Sequence, residues 1–203
     1  ANFTAAIANK GYFYTPHIVK KIDSKIIDNP KYTVKKQTTI NKEYFTPVIE
    51  AMHEVFKTGT GRWSQVKGIE ICGKTGTAEN SIKMVDGIKI QAEDHSILVA
   101  FAPKDNPKIA IAVMVENGGY GATIAGPIAS LMIEKYLRQK ITRLDLEKRI
   151  LATSLQGRYA KLGGLSEAVK LQLRISDSLL KKKTVIPVLK VKIDSTKENK
   201  QAI

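Results

Sequence analysis

The segment "GIEICGKTGTAEN", residues 68–80, contains two overlapping motifs that would carry different chemistry. Counted from Gly68, it has the pattern G-x-x-x-x-G-K-T, in which loop amides and a lysine surround the phosphates of a nucleotide. Counted from Lys74, it reads K-T-G-T, which places a cation, two hydroxyls and a glycine in four consecutive residues. The first motif would make the chain a nucleotide hydrolase, and the second would make it one wall of a site for acyl transfer to serine.

The flanking residues argue against the phosphate loop. Such a loop follows a buried strand and precedes a helix, whose N-terminus binds the phosphates. The segment before Gly68, "GRWSQVK", is short and polar, and the Ile-Glu-Ile-Cys of residues 69–72 alternates like a strand where the loop must curl. The apolar "IAIAVMVE" (109–116) resembles a strand that positions Mg²⁺, but it falls in a predicted hairpin. A nucleotide hydrolase is the least favoured hypothesis.

The K-T-G-T motif fits its surroundings, because it requires an extended segment along one edge of a cleft. In a strand, Lys74 and Gly76 point to one face and Thr75 and Thr77 to the other. A glycine in a strand also lets another backbone approach closely. K-T-G-T is one of three signatures of serine enzymes that handle β-lactams and D-alanyl peptides.

Four segments in a fixed order give this motif a context. "ANFTAAIANKGYFYTPHIVKKI" (1–22) comes first, and "CGKTGTAEN" (72–80), "DHSILVAFAPKDNPKIAIAVMVENGGYG" (94–121) and "AGPIASLMIEKYL" (125–137) follow. In this order, residues 1–137 resemble the end of the transpeptidase domain of class B penicillin-binding proteins, of the elongation-type penicillin-binding protein 2 kind. The resemblance implies a D,D-transpeptidase that cross-links peptidoglycan through an acyl-serine and is acylated by β-lactams.

The resemblance also implies roles for the motif residues. Lys74 and Thr77 are implied as catalytic, and Thr75, Gly76 and Thr77 as substrate-binding. Lys74 would supply positive charge beside the nucleophile, and both threonine hydroxyls would bind the carboxylate of a stem peptide or β-lactam. The backbone N–H of Thr77 would be one oxyanion-hole donor, a contribution of about 3–4 kcal/mol to the transition state. Gly76 would be the position of close approach.

The other two signatures of the family, S-x-x-K and S-x-N, are expected elsewhere. No serine of the chain begins an S-x-N triplet. "SQVK" (64–67) matches S-x-x-K but ends seven residues before Lys74, whereas the family's serine starts a helix far upstream. We therefore interpret "SQVK" as a chance match. The nucleophile is predicted to lie outside this chain, which would be an inactive fragment of a longer protein.

Composition limits the remaining possibilities. The chain has 203 residues, 43% of them hydrophobic, which suffices for a packed core. It has no apolar run of membrane-spanning length, and its single cysteine rules out an internal disulfide and a multi-cysteine zinc site. The net charge of +14 is concentrated in residues 138–203, which hold sixteen basic and six acidic residues. This basic tail is typical of a solvated helical face.

The pattern of elements predicts an α/β (α+β) fold, in which helices pack on an antiparallel sheet. Strands are expected at 68–80, 95–103 and 108–117, the last two forming a hairpin around the turn "KDNP" (104–107). Helices are expected at 2–9, at 41–59 with Asn41 as N-cap, and at 124–140. The resemblance makes residues 1–137 part of a β-lactamase/transpeptidase-like domain, followed by a basic, helix-prone and partly disordered extension, 138–203.

Structural roles are expected for several residues that invite functional interpretation. His95 is predicted to be a hydrogen-bonded structural histidine, and Cys72 a small buried apolar residue. Trp63 is expected in the core, and "GGYG" (118–121) is expected to connect a strand to a helix tightly. For both, lining of the cleft is the less favoured alternative. His17 and His53 are too far apart in sequence to suggest a metal site, and none is predicted.

The resemblance also implies partners and a location. The implied ligands are stem peptides ending in D-Ala-D-Ala and β-lactams, with no cofactor and no nucleic acid. The implied location is the periplasmic face of the bacterial cytoplasmic membrane, reached through an anchor outside this chain. The alternative hypothesis is a non-catalytic binding or regulatory module, in which residues 138–203 dock to the membrane or to proteins of the elongation complex.

Overall fold

The structure, a computed structural model, describes residues 1–85 and 88–160. All of them fall within one compact unit of the chain, Ala1–Gly163. No helix in this described part is both long and apolar enough to cross a membrane.

Short elements make up residues 2–37. Helix α1 (Asn2–Ala8) is followed by strand β1 (Tyr12–Phe13), the two-stranded hairpin β2 (Lys21–Ile22) and β3 (Lys25–Ile26), helix α2 (Pro30–Thr33) and strand β4 (Lys36–Gln37), which pairs antiparallel with β1.

Helix α3 (Phe45–Lys57) occupies most of the segment predicted to be helical. A 3₁₀ turn, Lys42–Tyr44, precedes it, and the Asn41 side chain makes no capping hydrogen bond. Asn41 therefore occupies the N-cap position of the 3₁₀ turn, with extended backbone as a cap requires, and α3 itself begins three residues later. A second 3₁₀ turn, Arg62–Ser64, leads away from the helix.

The central sheet has three antiparallel strands: β5 (Cys72–Ala78), β8 (His95–Ala102) and β9 (Ile109–Val115), in the order β5-β8-β9. Between the first two lies a separate hairpin of β6 (Ile82–Val85) and β7 (Ile88–Gln91). Strand β8 is central and its last three residues are buried, as its nearly continuous apolar sequence requires. The predicted β8–β9 hairpin is confirmed, and Lys108 N donates to Ala102 O across its base at 2.8 Å.

Helices cover both faces of this sheet. Alternation along β8 sends Leu98 and Ala100 to one face and Phe101 to the other. Helix α4 (Ala125–Arg138) covers the first face with three buried side chains, Ala125, Ala129 and Ile133. Helices α1 and α3 cover the second face, where Phe101 and Cys72 lie in a cluster with Ile7, Phe45, Ile49 and Met52. The predicted α/β architecture with an antiparallel sheet and packed helices is confirmed.

The described part of the extension forms helices α5 (Leu144–Leu151) and α6 (Gln156–Ala160). Helix α5 packs against α4. The domain boundary placed after residue 137 stays a prediction. The ion pair between Glu134 and Arg143 crosses it. Residues 161–203, where partial disorder was expected, lie outside the described residues.

Candidate active site

Strand β5, which carries the K-T-G-T motif, forms one edge of the central sheet. Its inner side pairs with β8, with Gly76 opposite Ile97 and Thr77 opposite Ser96. Its outer side pairs with no strand among residues 1–85 and 88–160. An edge strand offers N–H and C=O groups to which an extended peptide can add as a further strand. The strand predicted at 68–80 is therefore present but shorter, and its free edge includes the motif.

Lys74 lies on this edge strand as an exposed side chain. Its Nζ donates to the carbonyl oxygen of Thr75 at 2.8 Å, so the ammonium stays near the motif's own backbone. No carboxylate pairs with it among the described residues. Lys74 is therefore a cation available to an anionic ligand at the strand edge.

The two threonines lie on the opposite face of the strand from Lys74. Thr75, partly buried, has its Oγ1 2.7 Å from Oγ1 of Thr60, which belongs to the loop after α3. Thr77, two residues further along, is exposed. The arrangement places two hydroxyls, a cation and a free backbone edge within four residues, which suits a ligand with a carboxylate and an amide backbone.

The loop before α4 lies close to Gly76, and this closeness explains why position 121 is a glycine. A Cβ on Gly121 would come within 2.4 Å of the carbonyl oxygens of both Gly76 and Ile97, so this loop lies directly on the sheet. Ser96 Oγ donates to Tyr120 O at 2.9 Å and accepts from Ala125 N at 3.1 Å, which holds the loop between strand and helix. "GGYG" therefore makes the tight strand-to-helix connection that was predicted.

The start of β5 is fixed by close packing. A Cβ on Gly73 would lie 2.7 Å from Phe56 Cε2 and 2.6 Å from Val99 O, so helix α3 presses on the strand one residue before Lys74. Cys72 is fully buried, and burial raises the pKa of its thiol to about 12. The prediction that Cys72 is a small buried apolar residue is confirmed, and its thiol is no nucleophile at neutral pH.

The far end of β5 is held by a cluster of polar groups. The main-chain N of Asn80 donates to Asp94 Oδ1 at 3.1 Å, and the side-chain Nδ2 of Asn80 donates to Asn117 Oδ1 at 2.9 Å. His95 Nδ1 accepts from Asn117 N at 3.0 Å, which is the hydrogen-bonded structural role predicted for it. Arg158 of α6 donates to Asn117 O at 2.7 Å. These bonds tie the ends of three strands together beside the motif.

Sequence reasoning missed the buried carboxylate of Glu134, which is fully inaccessible to solvent. Glu134 accepts from Arg143 Nε at 2.9 Å and from both the backbone N–H and the hydroxyl of Thr142. Arg143 also donates to Gln65 O at 3.1 Å, and Arg138 donates to Lys67 O. Helix α4 is thereby linked to the loop that leads into β5. The sequence signal for this site is an acidic residue on the apolar face of a predicted helix. It can be recognised only when the buried face of α4 is known.

Two serines bear on the question of the nucleophile. Ser64, which begins the "SQVK" match, is 1% exposed and packs against Gly126 of α4. Its Oγ has no hydrogen-bond partner among the described residues, and Lys67 is exposed. Sequence reasoning missed a second S-x-x-K match, "SLLK" at 178–181, which lies outside the described residues. Burial of Ser64 supports the interpretation of "SQVK" as a chance match.

The position of Trp63 differs from the one predicted. Trp63 is 77% exposed, with the Arg62 guanidinium 5.0 Å from its ring centroid, so the prediction of a core tryptophan was wrong. The reason is local, since the 3₁₀ turn buries Ser64 and turns its neighbour outward. Among the described residues, no group of three or more His, Cys, Asp or Glu side chains is placed to hold a metal ion.

An antiparallel sheet that is covered by helices and carries K-T-G-T on its edge strand is the arrangement expected of a serine acyltransferase domain of the β-lactamase/transpeptidase kind. A family model for the penicillin-binding protein transpeptidase domain matches residues 1–134. The chain therefore belongs to the penicillin-binding protein transpeptidase family.

Relatives and solved structures agree with this assignment. The peptidoglycan D,D-transpeptidase MrdA of Haemophilus influenzae is 31% identical over 161 residues, covering 71% of this chain and 24% of its own. Stage V sporulation protein D of Bacillus subtilis is 31% identical over 151 residues, covering 71% of this chain and 22% of its own. The chain thus spans about a quarter of the length of these relatives.

Two solved structures share the fold over a similar stretch. Pseudomonas aeruginosa PBP2 in complex with WCK 5153 matches with a TM-score of 0.53 and 31% identity, over 69% of this chain and 30% of its own. The penicillin G acyl-enzyme of penicillin-binding protein A from M. tuberculosis matches with a TM-score of 0.51 and 31% identity, over 67% and 30% of the two chains.

Proposed function

We propose that this chain supplies the K-T-G-T wall of a peptidoglycan D,D-transpeptidase site that β-lactams acylate. The single observation that carries the proposal is the position of Lys74–Thr77 on the free edge of β5. A stem peptide ending in D-Ala-D-Ala would add along this edge, with its carboxylate on the hydroxyls of Thr75 and Thr77. The Thr77 N–H would bind the oxyanion, and Gly76 would leave room for the ligand backbone.

The proposal assigns the nucleophilic serine to a segment of the enzyme outside residues 1–203. The serine attacks the carbonyl carbon of the penultimate D-alanine, and the C–N bond to the terminal D-alanine breaks as the nitrogen takes up a proton. The amine of a second stem peptide then attacks the acyl-serine carbonyl and releases the serine. The new amide bond is the cross-link. Lys74 contributes positive charge next to the serine and helps to hold the developing negative charge. Residues 1–203 alone would then be inactive.

The family membership and the relatives' names support a role on the periplasmic side of the bacterial cytoplasmic membrane. We propose that an anchor outside this chain holds the enzyme there. The alternative is a binding module in which residues 138–203 recruit membrane or elongation-complex partners. The described part of that segment packs on the domain, with Arg143 bonded to Glu134 and Arg158 to Asn117. This packing favours a structural role for residues 138–160.

Labelling with a fluorescent penicillin, followed by denaturing electrophoresis, tests the proposal. The full-length gene product and residues 1–203 are compared, and excess unlabelled penicillin serves as the competitor. We expect label on the full-length protein and none on residues 1–203. Label on residues 1–203 that Ser64→Ala or Ser178→Ala abolishes would place the nucleophile within this chain. An unlabelled full-length protein that binds a nucleotide, or partners through residues 138–203, would replace the proposed activity with one of the two alternatives.

A further inference from the structure

The loop "TGTGRW" (58–63), which lies between α3 and β5, has no part in the function proposed so far. Its Thr60 side chain bonds to Thr75 of the motif, with 2.7 Å between the two Oγ1 atoms. No other hydrogen bond between side chains joins this loop to β5 in the described structure. We propose that Thr60 is a positioning residue that sets the direction in which the Thr75 hydroxyl donates its proton; this rests on the proposed function.

The direction of the Thr60–Thr75 hydrogen bond follows from the number of protons that the two hydroxyls can donate. A threonine hydroxyl has one proton to donate and two lone pairs that accept. If Thr75 donates to Thr60, it has no proton left for a ligand carboxylate, which can only accept. A carboxylate bound at Thr75 therefore requires Thr60 to donate to Thr75 and Thr75 to donate to the carboxylate. In such a chain, each hydrogen bond polarises and strengthens the next.

The loop is built so that Thr60 is held in place. Gly59 N donates to Glu54 O at 3.0 Å and Gly61 N to Val55 O at 2.9 Å, so both neighbours of Thr60 are bonded to the last turns of α3. A Cβ on Gly59 would lie 2.9 Å from Val55 Cα, which explains why the chain can wrap so closely around the helix end. The Thr60 side chain itself is exposed and is not needed to fill the core.

The helix end is in turn fixed against the motif strand. Phe56, near that end, is 2% exposed, and its ring occupies the space beside Gly73 where a Cβ would lie. The Gln65 side-chain amide donates to Phe56 O at 2.6 Å and to Lys57 O at 3.1 Å, which satisfies two carbonyls at the helix terminus. The distance between Thr60 and Thr75 is therefore determined by packing before any ligand binds, as preorganised binding requires.

The test measures acylation of the full-length protein by benzylpenicillin and by its methyl ester, which lacks the carboxylate charge. For Thr60→Val we expect the acylation rate constant for the free acid to fall about fivefold, and that for the ester to stay unchanged. Thr60→Ser keeps a hydroxyl and should retain the wild-type ratio of the two rate constants. In a Thr75→Val background, Thr60→Val should add nothing, because its partner is gone.

Thr58→Val is the matched control. Thr58 is exposed in the same loop, and its Oγ1 bonds to Glu54 rather than to the motif, so both rate constants should be unchanged. The inference would be overturned if Thr60→Val lowered the acylation rate constants of the acid and the ester equally, or if the effects of Thr60→Val and Thr75→Val were additive. In either case, acylation of the wild type would still uphold the proposed function. A wild-type protein that neither compound acylates would overturn both. Circular dichroism and thermal unfolding confirm that each variant is folded.

Discussion

The backbone of Gly121 lies directly on that of Gly76, with room for a hydrogen but not for a methyl group. A Cβ on Gly121 would be 2.4 Å from Gly76 O and 2.9 Å from Gly76 N. A Cβ on Gly76, in contrast, would meet only the Ile97 side chain, at 3.5 Å, and the Ile97 carbonyl oxygen, at 3.9 Å. The protein's own packing therefore requires glycine at position 121, whereas at position 76 the described residues leave space for a side chain.

This difference predicts opposite effects for two alanine substitutions. Gly76→Ala should leave stability nearly unchanged but slow acylation by penicillin at least about tenfold, because the added methyl displaces the ligand. Gly121→Ala should destabilise the fold by about 1–3 kcal/mol through overpacking. Urea unfolding and acylation kinetics of the full-length variants separate the two. Stable, fully active Gly76→Ala would mean that no ligand backbone approaches at this position.

Lys74→Ala should abolish most of the acylation while sparing the fold. The side chain is exposed and bonds only to a backbone carbonyl among the described residues, so its removal should change the free energy of unfolding by less than about 0.5 kcal/mol. Loss of a preorganised positive charge should slow acylation about 10²–10³-fold. Stopped-flow or gel-based acylation rates measure this. Lys67→Ala, an exposed lysine on the preceding loop, is the control, and near-normal acylation of Lys74→Ala would remove Lys74 from the proposed mechanism.

The buried Glu134 predicts a pH-dependent contribution to stability. Burial raises the pKa of this carboxyl, but the hydrogen bonds from Thr142 and Arg143 outweigh burial, so its pKa lies below the usual range. The stabilisation by ionised Glu134 is thus fully present above the unfolded-state pKa of about 4.3. It is lost as the pH falls through the lower pKa of the folded state. Glu134→Gln should cost about 3–5 kcal/mol at pH 7, and the difference from wild type should shrink at acid pH.

Chemical unfolding of both proteins between pH 7 and pH 3 checks this. Glu50→Gln is the matched control, because Glu50 pairs with Lys104 at 2.8 Å but is 55% exposed, and such pairs contribute at most about 1 kcal/mol. If Glu134→Gln lowers the free energy of unfolding by the same amount at every pH, the loss comes from altered packing and not from the missing charge.

Cys72 should be unreactive in the folded protein. With burial raising its pKa to about 12, only about one thiol in 10⁴ is ionised at pH 8, and the thiolate is the reacting species. Ellman's reagent should therefore detect Cys72 only after guanidinium chloride unfolds the chain, with a Cys72→Ala sample as the blank. Rapid reaction under native conditions would show that the start of β5 opens, which would contradict its packing against α3.

Local sequence determined the elements around the site. Alternation and turn residues predicted the β8–β9 hairpin and the extended conformation of the motif, and the apolar period predicted α3 and α4, because these signals act between neighbours in the chain. The motif and its ordered flanking segments also sufficed to predict the family. Where local signals competed, prediction failed: Trp63 faces solvent while Ser64, its neighbour, is buried.

Contacts between residues far apart in the sequence depend on the tertiary structure. Nothing in the spacing of Thr60 and Thr75, of Gly76 and Gly121, or of Gln65 and Arg143 indicates that they lie together, because each contact depends on how a helix or loop packs on the sheet. The free edge of β5 is likewise a property of strand order, which local periodicity does not encode. The chemistry that K-T-G-T offers can be read from four consecutive residues, whereas its surroundings depend on how distant segments pack.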